Sequence, residues 1–107
     1  MSSFLSGQDK ASWDFNIGKS MAKKAGHEIL EAKSAEKLGL LTDSLDSFEK
    51  AKNHINAAKG AFKCALESGP NDKLKRLIIR KMSGLPSNDT YIDRQIKKLG
   101  VLAGPLQ

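Results

Sequence analysis

Apolar residues along this chain recur at intervals of three and four and almost never at two, the period of helices buried on one face rather than of strands. Leu45, Phe48, Ala51, Ile55, Ala58, Phe62, Ala65 and Leu66 form the clearest stripe and predict a helix over 43–67, about 37 Å long at 1.5 Å per residue. Within it Ala51, Ala58 and Ala65 repeat every seven residues between larger side chains. Small residues at that interval let a second helix approach closely along a long seam. Ahead of this element, Ile17, Met21, Ala25, Ile29 and Ala32 predict a first helix over 12–38, with Ser6 to Asp9 able to cap an extra turn. Gly18 and Gly26 lie inside it, each costing about 1 kcal/mol relative to Ala.

Breaks between the stripes fall at residues suited to end helices. Gly39 fits a C-terminal glycine, and Thr42 and Asp43 offer an N-cap for the second helix. Ser68-Gly69-Pro70 stops that helix. Asn71 caps a third over 72–83, with Leu74, Leu77, Ile78 and Met82 inward. Gly84-Leu85-Pro86 predicts an end there. A short last helix follows over 89–99, opened by a capping box at Thr90 to Asp93 and carrying Ile92, Ile96 and Leu99. The expected architecture is all-α: a helical hairpin with a long second helix plus one or two short C-terminal helices. One domain covers 1–100, and 101–107 is a loose tail. A chain of 107 residues supports one modest core. The alanine interval therefore predicts a homodimer, two hairpins forming a four-helix bundle along Phe48, Ala51, Ile55, Ala58, Phe62 and Ala65.

Composition narrows the function classes. No apolar run approaches the length of a membrane span, so no membrane insertion is expected. Residues 1–5 have neither the charge nor the apolar run of a signal peptide. With Cys64 as the only cysteine there is no internal disulfide, which suits a reducing cytoplasmic setting. His27 and His54 lie on different predicted helices without ligand spacing, so no metal or other cofactor is expected. Cys64, beside the apolar stripe, reads as a half-buried inert thiol. Asp43-Ser44-Leu45-Asp46 superficially resembles the phosphopantetheine attachment motif of acyl carrier proteins. Those domains are acidic around the serine, whereas this chain turns basic just after it, and the four residues read better as a helix start. No glycine-rich phosphate loop or nucleophile elbow is present, and the chain is expected to bind rather than catalyse.

Charge supplies the remaining signal. Residues 1–49 carry six Lys/Arg against eight Asp/Glu, and residues 50–107 carry twelve against four. Net charge therefore moves from −2 to +8 between the two parts, which points to a polyanionic or acidic partner. Lys52, Asn56, Lys59 and Lys63 are spaced four, three and four, so they share one side of the second helix. The third helix adds Lys73, Lys75, Arg76, Arg80 and Lys81 with no acid among them. Like charges at this spacing destabilise a helix by a few tenths of a kcal/mol per pair. A face kept only for solubility would more often mix signs, as the first helix does. Asp43, Asp46 and Glu49 would repel phosphates at the start of the second helix, where a major-groove reader needs its contacts. A-form RNA is instead recognised by shape through phosphates and 2′-hydroxyls, which suits point charges arranged along a length.

Two resemblances rest on these segments. The long second helix opens with Ser44-Leu45-Asp46-Ser47-Phe48 and ends with Ala65-Leu66-Glu67-Ser68-Gly69-Pro70. A later basic segment runs Thr90-Tyr91-Ile92-Asp93-Arg94-Gln95-Ile96-Lys97-Lys98-Leu99. In this layout the chain resembles the RNA-silencing suppressors of nodaviruses, all-α dimers that coat double-stranded RNA. The resemblance implies a viral homodimer in the host cytoplasm that shields duplex RNA from processing and can also meet a host protein. The charge stripe itself, rather than the resemblance, names the expected RNA contacts: Lys52, Asn56, Lys59 and Lys63, with Arg76 and Arg80 as outriders. The segment from Gly39 to Ala51 and Tyr91-Ile92-Asp93-Arg94 also resemble microtubule-interacting-and-transport domains. That resemblance implies a three-helix bundle with a groove for a helical peptide, although Leu85-Pro86-Ser87-Asn88 is expected to interrupt its third helix.

Overall fold

The computed structural model describes residues 7–103, and side chains from Asp9 to Leu102. They form three helices: α1 (Gly7–Lys37), α2 (Leu41–Glu67) and α3 (Asp72–Ala103). The expected cap at Ser6 lies outside the described residues. Between α1 and α2 the chain reverses over Leu38–Leu40. Gly39 adopts φ 77°, its N–H donates to the Glu36 carbonyl at 3.0 Å, and the Leu40 N–H donates to the Ala35 carbonyl at 2.9 Å. These two bonds are the pair that closes a helix on a left-handed glycine. Helix α2 then starts earlier than expected. Leu40 occupies its N-cap with no side-chain cap hydrogen bond, so Thr42 and Asp43 lie within the first turn. Gly69, at φ 82°, turns the chain again. Asn71 caps α3 as expected, its Oδ1 accepting from the Leu74 N–H at 2.9 Å.

Helix α2 is the centre of the bundle. Its buried side carries Ser44, Phe48, Ala51, Ile55, Ala58, Phe62 and Ala65. Against it α1 buries Ala11, Phe15, Gly18, Ala25 and Ala32. Gly18, Ala25 and Ala32 are themselves seven apart, so small residues at the same interval line both helices. At Gly18 there is no room for a side chain: a Cβ there would lie 2.4 Å from the Phe62 ring. The Phe62 ring also packs tilted against Phe15, centroids 5.8 Å apart. Nearer the turn, the buried Ser44 hydroxyl donates to the Ala32 carbonyl at 2.7 Å. That contact settles the four-residue likeness to a carrier-protein motif, because a serine sealed between two helices is not placed for attachment.

Helix α3 departs most from expectation. It is continuous through Gly84, Pro86 and Thr90, where a break and a second capping box were expected. Pro86 removes one helical N–H, but Leu85 and Ile92, on either side of the weak stretch, are both buried against α2. Tertiary burial outweighs poor local propensity here. The helix also continues to Ala103, past the expected start of a loose tail, and residues 104–107 lie outside the description. Helix α3 packs along α2 and meets α1 mainly through its C-terminal half. There Lys98 pairs with Glu36 at 2.8 Å and the Lys33 ammonium stands over the Tyr91 ring.

Two inward assignments also change. Ile17 and Leu77 are partly exposed, and the buried positions of α1 at this level are Phe15 and Gly18. All six residues assigned to a dimer seam are buried inside one chain, from Phe48 to Ala65. The alanine interval admits α1 rather than a second copy, so a homodimer would have to use another face.

Candidate nucleic-acid interface

The four-residue stripe on α2 splits into two kinds of position. Asn56 and Lys63 are exposed. Lys52 and Lys59 turn toward α3 and meet its carboxylates. Lys59 donates to Asp89 Oδ2 at 2.6 Å, and Lys52 donates to Asp93 Oδ1 at 2.5 Å. The Lys52 ammonium also lies 3.2 Å from Asp89 Oδ1. That approach lacks hydrogen-bond alignment, so Oδ1 is buried without a hydrogen bond. Asp89 thus sits between two lysines two turns apart, with 18% of its side chain exposed.

The electrostatics follow from this arrangement. The Lys59 ammonium, with Lys52 beside it, holds the Asp89 carboxyl below its ordinary range although burial pushes the other way. The Asp93 carboxylate first, and the Asp89 carboxylate second, hold the Lys52 ammonium above its ordinary range. Both lysines are therefore already countered by internal anions. Asp89 and Asp93 are the carboxylates that meet these lysines; from the sequence Asp89 was expected only to open a short last helix and Asp93 to close its capping box. Their four-residue spacing was visible, but nothing local connects them to lysines thirty to forty-one positions earlier.

Helix α3 offers a different surface. Lys73, Lys75, Arg76, Arg80 and Lys81 are all exposed, and no carboxylate of the described residues lies within ion-pair distance of them. Lys73, Arg76 and Arg80 are spaced three and four, and the same line continues through Ser83, Ser87 and Arg94. Residues at these intervals share one helical face. From Lys73 to Arg94 it extends about 31 Å at 1.5 Å per residue. No acid interrupts it. Arg76 and Arg80, expected as outriders, thus lie in the first third of this unpaired surface.

Other chemistry is sparse. Phe15, Phe48 and Phe62 are buried and Tyr91 is half-buried, so Trp13 is the one largely exposed aromatic among the described residues. A base-stacking platform has little to build on. Cys64, expected half-buried, is exposed. His54 faces Glu28, Nδ1 to Oε1 at 2.5 Å, across α1 and α2. No group of His, Cys, Asp and Glu among the described residues is arranged to hold a metal ion, and no described helix is long and apolar enough to cross a membrane. A cleft of about 470 Å³ lies between the N-terminal half of α2 and the C-terminal half of α3, lined by Asp46, Glu49, Lys50, Lys52, Asn53, Asp93 and Ile96.

Comparison with known proteins yields no matching family model, no matching curated protein and no matching solved structure.

Proposed function

We propose that the protein binds double-stranded RNA without sequence preference and thereby shields it from processing enzymes. The observation that carries this reading is the unpaired cationic face at the start of α3, with Lys73, Arg76 and Arg80 in line and no acid among them. Phosphate recognition needs positive groups spaced along a rigid length, and arginine supplies a planar fork for phosphate oxygens. A long helix surface without exposed aromatics favours a duplex over a single strand. The unpaired positions Asn56 and Lys63 on α2 extend the same chemistry to a second helix. The resemblance to nodavirus suppressors agrees in partner, although here the contacts centre on α3.

Arg76→Glu with Arg80→Glu tests this directly. Each charge-assisted hydrogen bond contributes about 1.5–3 kcal/mol, so the double variant should bind a 20-base-pair RNA duplex at least a hundredfold more weakly. Its helicity by circular dichroism should be unchanged, because both side chains are exposed. Unaltered affinity would remove α3 from the interface.

A second reading has one observation in its favour. The continuity of α3 makes the chain a three-helix bundle, the layout implied by the likeness to microtubule-interacting-and-transport domains. The cleft beside Glu49 and Asp93 would then receive a helical peptide. Binding of such a peptide with no affinity for duplex RNA would favour this reading.

A further inference from the structure

Lys52 and Lys59 are the α2 cations that face another helix, and both are occupied by aspartates of the same chain. Asp89 Oδ2 and Asp93 Oδ1 accept from lysine ammoniums in the way phosphate oxygens would. Resting on the RNA-binding reading above, we propose that Asp89 and Asp93 mask a second phosphate-binding face on α2. In this arrangement Lys52, Asn56, Lys59 and Lys63 engage RNA only when it displaces those carboxylates. The α3 carboxylates are an internal competitor for the ligand.

Three features give the mask a way to open. Asp89 is mostly buried, and one of its oxygens already lacks a hydrogen bond. A phosphate that captures Lys59 and Lys52 would leave the Asp89 carboxylate without its counter-ions in a partly buried place, a costly state. Relief lies close by. The segment just before Asp89 contains Gly84, Pro86, Ser87 and Asn88, all poor helix formers, and the Pro86 position has no N–H to give. Helix α1 contributes little to holding α3, mainly the Lys98–Glu36 pair and the Lys33–Tyr91 contact. Loss of the aspartate pairings would therefore loosen α3 around its middle, where the sequence alone predicts a break. The free basic face at the start of α3 would engage RNA first, and the α2 face would follow. RNA capture by α2 and docking of α3 are then linked, each opposing the other.

The test compares Asp89→Asn/Asp93→Asn with the wild-type chain in titrations of a 20-base-pair RNA duplex over a range of salt. The variant should bind roughly a hundredfold tighter at low salt, the effect of two additional charge-assisted hydrogen bonds to phosphate. Its plot of log affinity against log salt should steepen by about 1.8, two phosphates at about 0.9 each. Asp43→Asn/Glu67→Gln makes the same change in net charge at exposed residues away from Lys52 and Lys59. A rise of equal size in that control, or no rise in the first variant, overturns the mask. A second measurement needs no variant: amide exchange over residues 84–96 of the wild-type chain should speed up when RNA is bound. Unchanged or slower exchange contradicts the proposal. Failure of the parent reading looks different, since then neither the wild type nor Asp89→Asn/Asp93→Asn binds and Arg76→Glu/Arg80→Glu changes nothing.

Discussion

Helix α2 meets α1 along glycine, alanine and two phenylalanines, and meets α3 along larger aliphatics and three lysine–aspartate pairings. The first seam is fixed by shape. Gly18 leaves room for the Phe62 ring and nothing more, and close packing of this kind is felt through a single methyl group. The second seam is partly fixed by charge on side chains that water still reaches, with Lys52 30% and Lys59 40% exposed. Screening weakens such pairs. One face of α2 is therefore a permanent joint and the other an adjustable one. Salt and polyanions should act on α3 more than on the α1–α2 hairpin, whose one charged contact between helices, among the described residues, is His54 with Glu28.

Substitutions at the shape-fixed seam should show the largest effects. Gly18→Val places its side chain into the Phe62 ring and should lower stability by about 1–3 kcal/mol through overpacking, read as a drop in the urea midpoint. Gly26→Ala, where a Cβ meets nothing within 4 Å, should instead raise stability by about 0.5–1 kcal/mol. If the two glycines respond alike, the α1–α2 seam is looser than described. A smaller effect is expected at Ser44→Ala, which deletes the buried hydroxyl bond to Ala32. It should cost about 0.5–1.5 kcal/mol, with no change in the salt dependence of unfolding.

The charge-fixed seam should respond least in stability but most to conditions. Asp89→Asn should cost under about 1 kcal/mol at neutral pH, since the lysines it leaves are partly solvated. Its signature lies in the acid limb. Because the Asp89 carboxyl is held below its ordinary range when folded, its contribution is present above the unfolded value of about 3.9 and is lost as pH falls through the folded value. The Lys52 ammonium is held above its ordinary range. Its contribution is present below about 10.4 and is lost as pH rises through the folded value. Between those limits the clamp should be constant. Urea unfolding across pH 2–6 should show a shallower acid loss in Asp89→Asn than in the wild type. Superimposable acid limbs would mean that Asp89 contributes nothing through its charge.

The same contrast explains what could be read without a structure. The body of α2, the Gly39 turn and the Asn71 cap are local patterns, and each lies where periodicity or capping chemistry places it. The alanine interval was equally legible, but an interval does not say which helix comes close. Gly18, Ala25 and Ala32 repeat the same spacing on α1, and noticing that match would have pointed to an intramolecular seam. The continuity of α3 was hidden because Gly84, Pro86, Ser87 and Asn88 argue locally for a break. Only burial of Leu85 and Ile92 against α2 outweighs them. The stripe on α2 was visible as charge, whereas its neutralisation was not. Lys52 and Asp89 are brought together by the turn at Gly69 and the register of α3, which leave no mark in residue spacing.

Binding of duplex RNA by the cationic face of α3 is tested most directly with the wild-type chain. A titration against a 20-base-pair RNA duplex at two salt concentrations, beside matched duplex DNA and single-stranded RNA, decides it. Tight binding to duplex RNA alone, weakening steeply as salt rises, is the predicted result. Absence of binding to duplex RNA at modest salt, or equal affinity for all three nucleic acids, would contradict it.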